Sequence, residues 1–294
     1  MIISASRRTD IPAFYVEWFM NRIHAGFCEV QNPYNSHQVS RISLRAEDID
    51  VIVFWTRNPK PLMPRLSELD SLGYHYYFLY TLMNNPGFLD PNMPSWEARI
   101  DTFRELAHMI GPDKVIWRYD PIVLGNDTTQ DFHLQTYEKI ASFLSGSTKR
   151  SIISFVDFYR KIQKRLDKIG HEGHFIERPK PETVTDIIKN LLKIAHKYGM
   201  EIYSCAEEEE YQSYGVAPSK CIDDQLIREL FNIPVTDGKD TTQRKACHCV
   251  ESRDIGSYNT CLYRCVYCYA TSDFDRALNN HKLHNPESSQ LLGR

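Results

Sequence analysis

Short apolar runs alternate with amphipathic stretches over the first two-thirds of the chain, and this rhythm restricts the fold more than any other feature. The strand-like runs are Ile2–Ser6, Cys28–Gln31, Val51–Trp55, Tyr74–Leu82, Val115–Tyr119, Ser151–Val156 and Glu201–Ser204. Helix-like stretches fall between them at Ala13–Ala25, Pro61–Leu69, Trp96–Ile110, Phe132–Leu144, Phe158–Ile169 and Glu182–Tyr198. In the last, Val184, Ile187, Ile188, Leu191, Leu192 and Ala195 recur at the helical period. Short buried strands separated by helices read as parallel βα units. Seven units predict an α/β fold, a TIM-like parallel (β/α) barrel of six to seven strands, partial or closed. A doubly wound open sheet is the alternative, weakened because neither GxGxxG nor a P-loop follows any strand.

From about residue 205 the rhythm stops. Asp223–Phe231 and Ser272–His281 read as short helices, and residues 237–269 have little periodicity. The acidic run Glu207–Glu210 reads as a solvated loop or helix start. The expected organisation is a barrel core over 1–204 with a cysteine-rich region, 205–294, packed on its mouth as one integrated domain. A net charge of −3 and a pI near 6.4 give no whole-chain sign of nucleic-acid or membrane binding. No apolar run approaches the roughly 18 residues of a membrane span, and the N-terminus lacks a hydrophobic signal core. The expected compartment is the cytoplasm, where thiols stay reduced.

Eight cysteines in a reduced compartment need another explanation than disulfides. Cys28 stands alone and reads as a small core residue; the other seven crowd into residues 205–268. Cys261, Cys265 and Cys268 form a CxxxCxxC run. Iron–sulfur clusters usually take four protein thiolates, so a local set of three leaves one iron open to a substrate or cofactor. Zinc, with His248 as a fourth ligand, is the competing reading, but zinc motifs usually pair two short chelates. Cys205, Cys221, Cys247 and Cys249 supply the four thiols that close an ordinary cluster, so a second, auxiliary [4Fe–4S] cluster is expected there, with zinc or free thiols as alternatives.

The run, with aromatic Tyr267 before Cys268, resembles the radical S-adenosylmethionine (SAM) superfamily hallmark CxxxCxΦC. Its continuation into Tyr269 resembles the CxYCY form of spore photoproduct lyase. The whole chain is more similar still to a bacterial family of unknown function with radical-SAM-like cysteines at its C-terminus. The opening Ser4-Ala-Ser-Arg7-Arg8-Thr-Asp10-Ile-Pro12 and the closing Asp254-Ile-Gly256-Ser-Tyr258-Asn-Thr-Cys261 carry that likeness. The resemblance implies a [4Fe–4S] cluster on Cys261, Cys265 and Cys268 whose open iron chelates the methionine amino and carboxylate groups of SAM. Reductive cleavage then yields a 5′-deoxyadenosyl radical that abstracts hydrogen from substrate, and Tyr267 would lie against the adenine. Superfamily members carry the cluster loop after the first strand, whereas this chain carries it after the last. A barrel is a ring, so the final loop can still lie beside the first strand. The usual glycine-rich SAM motif is absent.

In a parallel barrel, reactive residues collect at the C-terminal ends of strands. That rule makes Asn32, Thr56 and Ser204 candidates for cofactor binding beside Tyr267, and Arg7, Arg57, Arg118 and Asp120 catalytic candidates. The three arginines would form a cationic mouth for the SAM carboxylate or an anionic substrate; pairing with Asp10 and Asp120 to hold loops is the bland alternative. Tyr76, Tyr77 and Tyr80 read as packing, and His24, His75 and His108 lack metal spacing. The function expected is radical SAM chemistry on a small-molecule or nucleotide-like substrate, served by an electron donor such as a flavodoxin or ferredoxin. A nucleic-acid repair or modification enzyme and a non-enzymatic zinc-binding module are the competing readings.

Overall fold

The strand-like runs do pair in parallel. The computed structural model describes residues 1–207 and 211–293, so Glu208–Glu210 of the acidic run lie outside the described residues. The strands are β1 (Ile2–Ala5), β2 (Phe27–Asn32), β3 (Asn35–Ser43), β4 (Val51–Thr56), β5 (Tyr76–Thr81), β6 (Val115–Ile122), β7 (Arg150–Phe155), β8 (Glu201–Ser204), β9 (Ala217–Pro218) and β10 (Arg253–Asp254). Eight of them form one parallel sheet in the order β10-β1-β4-β5-β6-β7-β8-β9. The helices are α1 (Ile11–Phe14), α2 (Val16–Ala25), α3 (Leu66–Ser71), α4 (Trp96–Ile110), α5 (Gln130–Leu144), α6 (Arg160–His171), α7 (Pro181–Lys197), α8 (Asp224–Phe231) and α9 (Phe274–Lys282).

Period-two alternation in the strands sorts side chains to two faces. Ile52 and Phe54 of β4 join the core under α2, α4, α5 and α7, where Trp18, Phe103, Tyr137 and Leu191 are fully buried. Val51 and Val53 face the other way, into a second core with Tyr77, Ile116 and Leu226 of α8. Three cysteines, Cys221, Cys247 and Cys249, belong to that second core. Crossover helices therefore cover one face, and the cysteine-rich segment covers the other. The sheet has two edges, the two-residue strands β10 and β9. Among the described residues, no helix is long and apolar enough to cross a membrane.

One expected sheet member is elsewhere. The run Cys28–Gln31 lies in β2, which pairs antiparallel with β3 as a separate hairpin. The reason is visible in Phe-Cys-Glu-Val-Gln, where Glu29 and Gln31 alternate with apolar residues; a strand buried on both faces would be apolar throughout. Gly26 in the left-handed region (φ 73°) ends α2 and turns the chain into this hairpin. The sheet gains instead β9 and β10, which are too short to show periodicity.

Candidate metal and cofactor site

A cavity of about 340 Å³ opens where the strands of the large sheet end. All seven cysteines of the C-terminal third line it, together with Arg7, Thr56, Arg57, Arg118, Asp120 and Tyr267. Its floor is thus assembled from the C-terminal ends of the parallel strands β1, β4, β5, β6, β7 and β8. β10 closes the arrangement by pairing with β1, Ile3 opposite Arg253 and Ser4 opposite Asp254. The Asp254 carboxylate accepts from Ser4 Oγ at 3.1 Å, Ser6 Oγ at 2.8 Å, Arg7 N at 2.8 Å and Gly256 N at 3.0 Å. A Cβ at Gly256 would stand 2.0 Å from Ser6 Oγ, so only glycine allows so close an approach. The late cysteine-rich segment therefore lies beside the first strand.

Cys261, Cys265 and Cys268 ride on a loop closed at its base. Asn259, at φ 57°, donates its N–H to Ala270 O (3.0 Å), and its side-chain oxygen accepts from Ser272 N (2.8 Å). Tyr15 Oη donates to Thr260 O at 2.7 Å, and Val266 N to Leu89 O at 2.9 Å, pinning the loop to the junction of α1 and α2 and to the segment before α4. Burial pushes the Cys261 and Cys265 thiols up. Such thiols hold their protons until a metal replaces them.

Arg57 is the support of this loop. Its Nη1 donates to Asp90 Oδ1 (2.7 Å) and to Cys265 Sγ (2.8 Å), and its Nη2 to Asp90 Oδ2 (3.1 Å) and Tyr267 Oη (3.0 Å). Burial works against the charges of both Arg57 and Asp90, but each holds the other ionised. The Tyr267 hydroxyl donates to Asp90 at 2.7 Å, which fixes the ring against the cavity. On the far side, Arg165 donates to Cys268 O at 2.5 Å.

The other four thiols come from three places. Cys205 follows β8, its N–H continuing the ladder to Ile153 O at 2.8 Å. Cys221 precedes α8, with its carbonyl accepting from Tyr77 Oη at 2.7 Å. Cys247 and Cys249 stand on the approach to β10. Cys205 Sγ and Cys221 Sγ are 3.4 Å apart. Hydrogen bonds from the Cys221 and Cys247 thiols hold Cys249 well below the ordinary thiol range. Against the cost of burial, Cys249 and then Asp254 keep Arg7 charged, and Asp120, Cys221 and Cys205 do the same for Arg118. Among the described residues, no three His, Cys, Asp or Glu side chains close on a single-ion position.

Between the two groups, Arg7 and Arg118 both lie over the ring of Trp55, at 5.0 and 4.8 Å from its centroid. Among the described residues, the buried donors Arg7 Nη2, Arg118 Nε and Trp55 Nε1 find no hydrogen-bond partner. Arg118 also pairs with Asp120. Of the sequence candidates, Arg7, Thr56, Arg57, Arg118, Asp120 and Tyr267 meet here, whereas two do not. Asn32 sits on the hairpin, bonded to Gln38 at 2.7 Å, and Ser204 is buried within β8, one residue short of the wall. Thr56 does not face a ligand freely, since its hydroxyl donates to Asp10 at 2.7 Å. Sequence reasoning missed Asp90, Trp55 as a platform, and the anchoring role of Asp254. Asp90 is the only acid in residues 82–95 between β5 and α4, a signal that an unusually long connection could have offered.

Residues 2–270 match the family described as a domain of unknown function, DUF1848. No curated protein matches the chain.

Proposed function

Because the chain belongs to the DUF1848 family, a domain of unknown function, we propose on chemical grounds that it is a radical SAM enzyme. In this reading Cys261, Cys265 and Cys268 hold a [4Fe–4S] cluster, and the parallel sheet with its crossover helices is a partial (β/α) barrel. The observation that carries it is the placement of all three thiols on one closed loop facing the cavity at the strand ends. Three sulfurs suit a cluster with one iron left open, and the donor set is soft, with Cys265 buried and Cys261 and Cys268 partly exposed at the cavity. When bound, the cluster would supply the electron that cleaves SAM reductively.

The protein's own groups then have distinct tasks. Arg57 sets the orientation of Cys265 and Tyr267 through Asp90, and its positive charge offsets the thiolates. Tyr267 offers a ring held from behind by Asp90. The donors of Arg7, Arg118 and Trp55 that have no partner among the described residues suit an anionic group, either the SAM carboxylate or a carboxylate or phosphate of the substrate. Asp120 holds Arg118 in place. A cavity of about 340 Å³ is of the size that takes a small-molecule ligand, and a small or nucleotide-like substrate is the class proposed. A flavodoxin or ferredoxin class of donor would provide the electron. The test is anaerobic reconstitution followed by reduction with SAM. Iron, sulfide and 5′-deoxyadenosine are expected; zinc without iron in anaerobic native protein would reject the reading.

A further inference from the structure

We infer that Cys205, Cys221, Cys247 and Cys249 hold a second iron–sulfur cluster, fully ligated by protein, on the opposite wall of the same cavity. Four thiols from three separate segments converge on this wall. Cys221 and Cys249 are almost completely buried, and all four face the cavity. Their contacts run in a row, from Cys205 to Cys221 to Cys249 to Cys247. A zinc ion needs every sulfur about 2.3 Å from one point, and among the described residues no three His, Cys, Asp or Glu side chains close on such a point. A four-iron core takes one sulfur on each iron, so Cys205 and Cys221, 3.4 Å apart, would separate to hold it.

The charges around the group suit the same occupant. Four thiolates around a doubly positive core would leave a net negative charge in a buried place, which is costly without nearby cations. Arg7 stands by Cys249 and Cys221, and Arg118 by Cys221 and Cys205. The Ile222 N–H donates to Cys249 Sγ at 3.4 Å, the kind of amide–sulfur bond that tunes such a centre. Since four thiolates close every iron, the second centre has no open position. It therefore passes electrons or shapes the field at the cavity, and does not itself bind SAM.

The inference stands apart from SAM cleavage, and iron counting separates the two. Full-length protein is reconstituted anaerobically with iron and sulfide, as wild type, as Cys247→Ala/Cys249→Ala and as Cys261→Ala/Cys265→Ala/Cys268→Ala. About eight irons are expected in the wild type and about four in each variant, as for two four-iron clusters. Should the pair variant fail to fold, the triple variant decides alone, because it must keep about four irons. A triple variant without iron, or an unchanged count in a folded pair variant, overturns the second cluster. So does one zinc per chain that disappears with Cys247 and Cys249. Iron retained by the triple variant but lost from the pair variant, with about four in the wild type, supports the second cluster and rejects the first.

Discussion

The two cysteine groups reach one cavity by different routes. Cys261, Cys265 and Cys268 lie within eight consecutive residues on a loop that Asn259 closes, so their spacing is set locally. Cys205, Cys221, Cys247 and Cys249 come together only because β8, the start of α8 and the approach to β10 converge. The first group is supported by one arginine whose charge is returned by Asp90, the second by two arginines stacked on Trp55. A local chelate can survive much damage to the sheet, whereas a distributed one depends on the sheet being right.

The largest expected effect would break the comparison outright. Replacing Cys265 by alanine should abolish 5′-deoxyadenosine formation while the iron of the second group stays. Cleavage at wild-type rate would remove Cys265 from the ligand set. Next comes the joint that both groups share. Asp254→Ala leaves the donors of Ser4, Ser6, Arg7 and Gly256 without their acceptor, at a cost of about 3 kcal/mol. Urea unfolding should show that loss, and iron at the second group should fall further than at the first.

A histidine remote from both groups supplies the control for stability. His133 Nε2 faces Val123 O at 2.9 Å and Nδ1 faces Tyr119 Oη at 2.9 Å, so the ring is neutral, donating from Nε2. Burial lowers its pKa from 6.5 to about 4. Between those values the unfolded chain binds a proton that the folded chain refuses. The stability it contributes is thus full above pH 6.5 and lost as pH falls toward 4, by up to about 3 kcal/mol. Asp10 acts in the opposite sense. Burial raises its carboxyl to about 7, so it favours the fold as pH falls below 7. The wild type minus His133→Gln difference in unfolding free energy isolates the histidine. A difference that does not change between pH 7 and pH 4.5 would refute the assignment.

The smallest effect sharpens the contrast between the supports. Arg57→Lys cannot bridge Asp90, Cys265 and Tyr267 together, and should slow 5′-deoxyadenosine formation about 10–100-fold, the usual cost of losing an outer partner of a metal ligand. The second group's iron should be unchanged. Equal losses at both groups would mean that Arg57 acts on the whole fold.

Much of the fold and of the cavity is legible in the sequence. Six of the seven expected strands lie in the parallel sheet, because buried strands announce themselves by continuous apolar residues. Glu29 and Gln31 mark the exception, and their alternation was the sign of a hairpin exposed on one side. The CxxxCxxC run could be read directly, and strand-end reasoning found Arg7, Arg57, Arg118 and Asp120 because strand direction alone carries them to the mouth. It overreached at Asn32, which inherited its place from a strand that left the sheet. Asp90 and Asp254 stayed hidden because their partners are more than 30 and more than 240 residues away, and no local pattern encodes a contact of that range.

In the proposed enzyme, the loop carrying Cys261, Cys265 and Cys268 would leave one iron without a cysteine. Electron–nuclear double resonance on the reduced, reconstituted protein, with SAM labelled with ¹⁵N at the methionine amino group, tests it directly. A nitrogen coupling present in the wild type and in Cys247→Ala/Cys249→Ala is predicted. A reduced cluster that shows no such coupling with SAM in excess would contradict the account.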